Sequence, residues 1–396
     1  MEKRRILFVD DESAVLKALE TMLEPMRELW SMEFVSDPRR ALEQLARGAF
    51  DVVVSDTSMP VMDGSEFLAE VMLRHPQVVR IILARQTDRD RTLDALHVSH
   101  QFLAKPCDAS TLRATVSRAL ALRKFLDGDT PLKALVSRLD SLPSMPALYR
   151  ELVDALQDVD INFSEVARII EQDPAMAAKI LQLVNSAYFS LSRHVSDLDT
   201  ALMLLGLDTI KSLVLSVQVF SQFEEETLRT LSVERLWRHS VRTGALARAL
   251  AQAEKAPREM INDAFTAGLL HDTGKLILAA NMPNIYAKVV HLCAEENLAP
   301  CEAERQLFGA AHAETGAYLL GLWGLPETIV EAVAYHHHPQ DRETLDRSAL
   351  TFVHVANALS QLPDAPAAIL DTGYLGELEL LDRLPAWAEL SESVLA

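Results

Sequence analysis

Along residues 5–105 the hydrophobic pattern switches between two periods. Short continuous apolar runs occur at Ile6-Leu7-Phe8-Val9, Val52-Val53-Val54, Ile81-Ile82-Leu83-Ala84 and Phe102-Leu103-Ala104. Between them lie helical spacings over Ser13–Leu29, Pro38–Gly48, Gly64–Arg74 and Arg89–Val98, and a strand near Met32–Ser36 fills the remaining gap. Fully apolar strands alternating with helices predict an α/β doubly wound, five-stranded parallel sheet. A further helical stripe, Leu112, Val116, Leu120 and Leu122, runs through 108–128, with Asp108 or Ser110 as its N-cap. Asp127-Gly128-Asp129-Thr130-Pro131 stops it. From Pro131 onward the spacing is helical almost throughout, with helices over 147–157, 164–171, 175–185, 198–205, 208–223 and 233–254. The expected organisation is an α/β domain over 1–124, a linker and entry segment over 125–140, and an all-α domain over 141–396.

In a doubly wound sheet the ligand site lies at the carboxyl ends of the strands. Asp10, Asp11, Asp56, Ala84 and Lys105 all fall there. Three carboxylates at one edge repel each other unless a cation sits among them, and oxygen ligands with room for water suit Mg²⁺. A lysine opposite them supplies positive charge for a phosphoryl group. An aspartate beside the metal can act as nucleophile and form an acyl phosphate.

The helical half carries its chemistry on histidines. His239 lies near the start of a long helix. His271-Asp272 is embedded in the apolar run Gly268-Leu269-Leu270, with Lys275 one turn later. His312 follows, and Tyr335-His336-His337-His338-Pro339 ends another helix. An adjacent His-Asp pair is costly to bury unless it is paired, hydrogen-bonded or on a metal. On one helix the two would lie about 100° apart and could grip an ion from two sides. Imidazole and carboxylate are ligand types for Zn, Mn or Fe. His291, His338 and His354 are read as ordinary surface or hydrogen-bonded core residues.

Composition narrows the choice. Hydrophobic residues make up 49% and charged residues 24%, so the chain folds rather than staying disordered. The net charge of −19 is unevenly placed: residues 1–124 hold 18 Lys+Arg and 19 Asp+Glu, the remainder 20 and 38. So acidic a C-terminal region repels a phosphate backbone, which argues against nucleic-acid binding. Three cysteines at spacings unlike a zinc site point to a reducing, cytoplasmic compartment. The N-terminus lacks the apolar region of a signal peptide. The most apolar stretch, Ala201 to Phe220, contains Asp208 and Lys211 and is read as buried helix, not a membrane span.

Residues 4–124 resemble a two-component receiver domain. The matching residues are Asp10-Asp11, Asp56 with Met59-Pro60 and Asp63-Gly64 behind it, and Lys105-Pro106. The resemblance implies that Asp56 is the phosphoacceptor, that Asp10, Asp11, Asp56 and the Ser58 carbonyl hold Mg²⁺, and that Lys105 contacts the phosphoryl group. Phe102 occupies the position of the family's aromatic switch. The family's Thr or Ser at the end of the fourth strand is replaced by Ala84, which has no hydroxyl to bond the phosphoryl group. Arg85 follows where a small residue is usual, and is expected either to substitute in part or to leave the domain signalling through constitutive contacts.

Residues 131–396 resemble the HDOD family, a branch of the HD superfamily of metal-dependent phosphohydrolases. The matching text includes Leu142-Pro143-Ser144-Met145-Pro146, Asp173-Pro174, Leu183-Val184-Asn185-Ser186-Ala187, Leu204-Leu205-Gly206, the run from Gly268 to Lys275, His312 to Gly316, Trp323-Gly324-Leu325-Pro326 and His336-His337. Catalytic relatives hold metal with a His, a His-Asp pair and a later Asp. His239, His271 and Asp272 match the first three, but the fourth position is Asn357. The Gly-Tyr-Pro signature of the cyclic di-GMP hydrolases is missing after the His pair. His312, His336 and His337 add donors that could hold Fe, Mn or Zn. The resulting expectation is a response regulator in phosphorelay signalling whose HDOD output binds a protein or nucleotide partner without catalysis. The alternative is an HD-type phosphohydrolase in which Lys275 contacts phosphate. A sensor histidine kinase or phosphotransfer protein is the implied upstream partner, and a homodimer is left open.

Overall fold

The structure is a computed structural model that describes residues 3–85, 97–126, 130–139, 141–157, 161–185, 195–207, 209–210, 214, 221–222, 233–296, 298–360 and 370–395. The chain divides into two compact units, the first built on residues 1–140 and the second on most of the remainder.

The first unit is a parallel sheet of β1 (Arg4–Val9), β2 (Trp30–Val35), β3 (Val52–Asp56), β4 (Val79–Arg85) and β5 (Gln101–Lys105). The strand order is β2-β1-β3-β4-β5. Ile6, Leu7, Phe8, Val52, Val53, Ile81 and Ile82 are wholly buried. Burial on both faces explains why these strands read as continuous apolar runs rather than alternating ones. Helices occupy Ser13–Met22, Pro38–Arg47, Gly64–Arg74 and Ala109–Ala121. Asp63 opens the third with a capping box: its Oδ1 accepts from Glu66 N at 2.8 Å while Glu66 Oε2 accepts from Asp63 N at 3.3 Å. Asp108, not Ser110, caps the fourth, with Oδ1 accepting from Thr111 N at 2.9 Å.

Two boundaries differ from the sequence expectation. The first helix ends at Met22 rather than Leu29, and a short 3₁₀ turn, Glu24–Met26, follows. Pro25 favours such a stop because it has no N–H to continue an α-helix. β2 therefore begins at Trp30, whose ring is buried. The helix expected over Arg89–Val98 lies almost entirely outside the described residues.

The described part of the linker is docked, not loose. A short helix, Pro131–Val136, is capped by Thr130, whose Oγ1 accepts from Lys133 N at 3.2 Å. Behind it the Ser137 carbonyl accepts two hydrogen bonds, from Arg80 Nη2 at 2.6 Å and His100 Nε2 at 2.8 Å. The Arg80 backbone N–H donates to His100 Nδ1 at 3.0 Å, so the ring proton must sit on Nε2. Arg80 is buried, and its Nε donates to the Val98 carbonyl at 2.6 Å. Burial, reinforced by the Arg80 charge, holds the His100 pKa well below the ordinary histidine value. This clasp sits where β4 and β5 begin, at the opposite end of the sheet from the acids.

The second unit is helical. Its central helices are Val233–Ala253, Arg258–Leu270, Glu327–Tyr335 and Ala349–Leu359, packed against one another. The first two cross at a pair of glycines: a Cβ at Gly268 would lie 2.9 Å from Gly244 Cα. That close approach brings His239 and His271, one on or beside each helix, into the same interior. At the entrance to the unit Asp173 caps the helix Pro174–Asn185, its Oδ1 accepting from Ala175 N at 2.9 Å and its Oδ2 from Met145 N at 2.9 Å. The helix expected over 208–223 lies mostly outside the described residues, but its end is corrected. Ser221–Gln222 is a short strand paired in parallel with Pro143–Ser144, so the extended entry segment recruits a partner. Among the described residues no helix is long and apolar enough to cross a membrane.

Candidate functional site

The carboxyl edge of the sheet gathers the acids that the sequence singled out. Asp10 and Asp56 are buried, and Asp11 is partly exposed beside them. Lys105 reaches across from β5: its Nζ donates to Asp10 Oδ2 at 2.6 Å and is ion-paired with Asp56 Oδ1. Those contacts lift the Lys105 pKa, even though burial by itself would lower it. The turn after β3 is fixed by Ser58 N, which donates to Asp56 Oδ2 at 3.0 Å. Ala84 and Phe102 are both buried. A contact that sequence reasoning did not foresee lies at the rim, where Arg85 Nη2 bonds Glu12 Oε1 at 2.7 Å.

In the second unit the histidines converge on Asp272. His271 and Asp272 do not share a helix as expected. His271 closes Arg258–Leu270 and Asp272 opens Thr273–Asn281, so the pair sits at a helix break. The break aims both side chains inward. Asp272 Oδ1 lies 3.3 Å from His312 Nε2 and 3.9 Å from His336 Nε2. Its Oδ2 lies 3.4 Å from His271 Nε2 and 4.0 Å from His239 Nε2, and accepts from Lys275 Nζ at 2.7 Å. His312 Nε2 and His337 Nε2 are 2.9 Å apart.

Backbone and carboxylate acceptors set the tautomers. His271 Nδ1 faces the Gly268 carbonyl at 2.7 Å and His336 Nδ1 faces the Val333 carbonyl at 2.7 Å. A carbonyl only accepts, so each Nδ1 carries the proton and each Nε2 presents a lone pair. His312 is turned the same way by a residue that the sequence reading overlooked. Glu304 is wholly buried, and its Oε2 accepts from His312 N at 2.7 Å and from His312 Nδ1 at 2.6 Å. Its helix, Pro300–Phe308, places it on one face with Cys301 and Phe308, an acid in an otherwise apolar stripe. That stripe was the available signal.

Burial lowers the pKa of His239, His271, His336 and His337. The His271 pKa falls to about 3, and those of His336 and His337 fall well below the ordinary value, burial being the main cause in each case. Burial alone would raise the Asp272 pKa, but the electrostatic pull of His271 and then Lys275, with His312 and His239, outweighs this and holds it well below the usual carboxylate range. The result is a buried set of acceptors. His271 Nε2, His336 Nε2 and Asp272 Oδ1 have no hydrogen-bond partner. Lone pairs that face one another without donors fit a cation. Two trios have ligand atoms within 4.8 Å of one another: His312, His336 and His337, and His239, His271 and Asp272. Asn357 joins the second trio through its Oδ1, 2.9 Å from His239 Nε2. His354 stays apart from the cluster, its Nδ1 facing the His336 carbonyl at 2.8 Å and its Nε2 accepting from Asp371 N. His291 and His338 are exposed.

The two folds and their sites define a receiver domain joined to an HD-like helical domain. Residues 6–117 match the response regulator receiver domain and residues 142–339 match the HDOD domain. The chain belongs to the HDOD family, with a receiver domain in front of its HDOD domain. Relatives of known sequence include an uncharacterised protein of Treponema pallidum (strain Nichols), 30% identical over 52% of this chain and 39% of its own length. Another is the transcriptional regulatory protein ZraR of Escherichia coli (strain K12), 27% identical over 49% of this chain and 46% of its own length. The chain thus spans less than half of either relative. Among solved structures it is similar in fold to the MmoQ response regulator of Methylococcus capsulatus str. Bath (24% identity, TM-score 0.50, covering 65% of this chain and 98% of that one). It is also similar in fold to a virulence factor of Campylobacter jejuni (19% identity, TM-score 0.51, 66% and 96%).

Proposed function

We propose that this protein is a cytoplasmic response regulator in which phosphorylation of Asp56 controls a binding output in the HDOD domain. The supporting observation is the Lys105 ammonium shared between the Asp10 and Asp56 carboxylates at the strand edge. In this reading Asp10, Asp11, Asp56 and the Ser58 carbonyl hold Mg²⁺. Mg²⁺ supplies charge neutralisation around a transferring phosphoryl group. An Asp56 carboxylate oxygen attacks the phosphorus of a phosphohistidine or of acetyl phosphate, the bond to the donor breaks, and an acyl phosphate remains on Asp56. Lys105 faces the incoming charge. The donor would be a sensor histidine kinase or phosphotransfer protein. Incubation with labelled acetyl phosphate and Mg²⁺ tests this: label is expected on the wild type and lost in Asp56→Asn. Equal labelling of both would end the assignment.

The HDOD domain acts in this reading by holding a partner rather than by turning over a substrate. Asn357 offers a neutral oxygen where a catalytic relative has a carboxylate, and that oxygen already faces His239. Lys275 occupies Asp272 Oδ2 on the same side. The other side is more open to a cation: His312, His336, His337 and Asp272 Oδ1 present donors with less competition. An Fe, Mn or Zn ion there would be a fixed positive charge inside the acidic domain, useful for organising a binding surface. Metal analysis of the purified protein, beside His336→Ala and His239→Ala, tests the placement. Metal lost in the first and kept in the second is the expected result. The reverse would move the ion to the His239 side and reopen the phosphohydrolase reading.

A further inference from the structure

We propose that Arg85 is a second phosphoryl-binding cation of the receiver, held in reserve by Glu12 until Asp56 carries a phosphoryl group. The proposal rests on the reading of Asp56 as phosphoacceptor.

The argument begins with strand order. Arg85 is the last residue of β4, and Glu12 follows β1. β3 lies between those strands, and its last residue is Asp56. A side chain that runs from Arg85 to Glu12 therefore passes over the strand end that presents Asp56. Lys105 does the same from one strand further away, and Arg85 is its register partner across β4 and β5. Asp56 pairs with Leu83, so Arg85 stands two residues, roughly 7 Å, beyond that level. This is within the reach of an arginine side chain. Glu12 is tied to the same cluster, because its backbone N–H donates to Asp10 Oδ1 at 3.0 Å.

The pair is built to exchange. Arg85 and Glu12 side chains are 56% and 50% exposed. Ion pairs that wet are weak and yield to a better partner. A phosphoryl group on Asp56 offers one: it adds negative charge and several acceptor oxygens, which suit the planar fork of a guanidinium. The same added charge repels Glu12. Ala84 contributes no hydroxyl, so a donor from the neighbouring position supplies the missing contact. Movement of Arg85 away from Glu12 then couples the phosphoryl group to the end of β4 and to the loop after β1.

The test uses beryllofluoride with Mg²⁺ as the phosphoryl mimic and follows binding to the full chain by ¹⁹F NMR. Arg85→Ala is expected to weaken binding about tenfold, and Arg85→Lys to fall between the two because it keeps charge without the fork. Glu12→Gln is expected to strengthen binding severalfold by releasing Arg85. Unchanged or tighter binding in Arg85→Ala would overturn the proposal while leaving Asp56 as phosphoacceptor. Weaker binding in Glu12→Gln would overturn the reserve role. Absence of binding by the wild type would overturn the phosphoacceptor reading and this proposal with it. Circular dichroism of each variant separates lost binding from lost fold.

Discussion

Glu304 Oε2 takes both donors of His312, the backbone nitrogen at 2.7 Å and ring Nδ1 at 2.6 Å. One carboxylate thereby fixes the ring's position, its rotation and its tautomer. Glu304→Ala would leave two buried donors without an acceptor, and each costs roughly 1–3 kcal/mol. The variant should lose about 3 kcal/mol of stability in urea unfolding. It should also lose any metal that depends on His312. A shift under 1 kcal/mol would show that water replaces the carboxylate at no cost.

Gly274 lies so close to His312 that a Cβ there would run into the His312 carbonyl. Gly274→Ala must therefore move one helix start against the other. Overpacking of this kind costs about 1–3 kcal/mol. The expected readout is a lower melting temperature together with altered His312 ring resonances. Alanine tolerated at full stability would mean that the contact is looser than the geometry indicates.

Asn357→Asp would place a carboxylate beside His239, whose Nε2 lies 2.9 Å from the Asn357 Oδ1 and 4.0 Å from Asp272 Oδ2. Without a cation, a second carboxylate among buried acceptors should destabilise the domain. With Mn²⁺ or Fe²⁺ added, the loss should reverse and the bound metal should rise. Thermal melts with and without chelator check both signs. Identical melts under the two conditions would argue that position 357 lies outside the ligand set.

The pH dependence follows from His100. Its folded pKa is depressed by burial and by Arg80, whereas the unfolded side chain titrates near the ordinary value of 6.5. Between those two values the unfolded chain binds the proton and the folded one does not. Stability from this residue is therefore complete above pH 6.5 and is lost as pH falls, by at most about 1.4 kcal/mol per pH unit. His100→Gln removes the titration and retains an N–H for Ser137. The difference between wild-type and variant stability, followed from pH 7 to pH 5, should shrink steadily as the wild type loses its advantage. A constant difference would mean that His100 protonates in place.

Ala84→Ser restores a hydroxyl at the end of β4. If Arg85 has taken over the phosphoryl contact, the added hydroxyl should change beryllofluoride affinity only slightly, and should raise it strongly in the Arg85→Ala background. The same ¹⁹F titration measures both. Equal gains in both backgrounds would show that the two side chains act independently.

What could be read from the sequence follows the range of the forces involved. The five strands announce themselves because burial on both faces makes each run apolar. Asp108 and Asp173 cap their helices through bonds to residues two or three positions away, and such bonds are visible locally. The acids at 10, 11 and 56 could be grouped because a parallel sheet places every strand's carboxyl end at one edge. Glu304 was missed because its partner, His312, lies beyond a turn whose geometry no short pattern specifies. The His271-Asp272 pair was placed on one helix because nothing in an apolar run marks a break between residues that are both compatible with helix. Arg80 and His100 carried no local signal, since their common acceptor at Ser137 is supplied from another segment.

The Ser137 carbonyl also bears on how the receiver can be moved between proteins. A transplant cut after Lys124 would carry the guanidinium of Arg80 and the imidazole of His100 without the oxygen that both address. The portable piece is thus longer than the sheet and its helices, and its natural suture falls beyond Leu139. Chimeras joined at the earlier point would expose a buried cation at the seam, and the choice of splice site alone could decide whether a hybrid regulator survives in the cell.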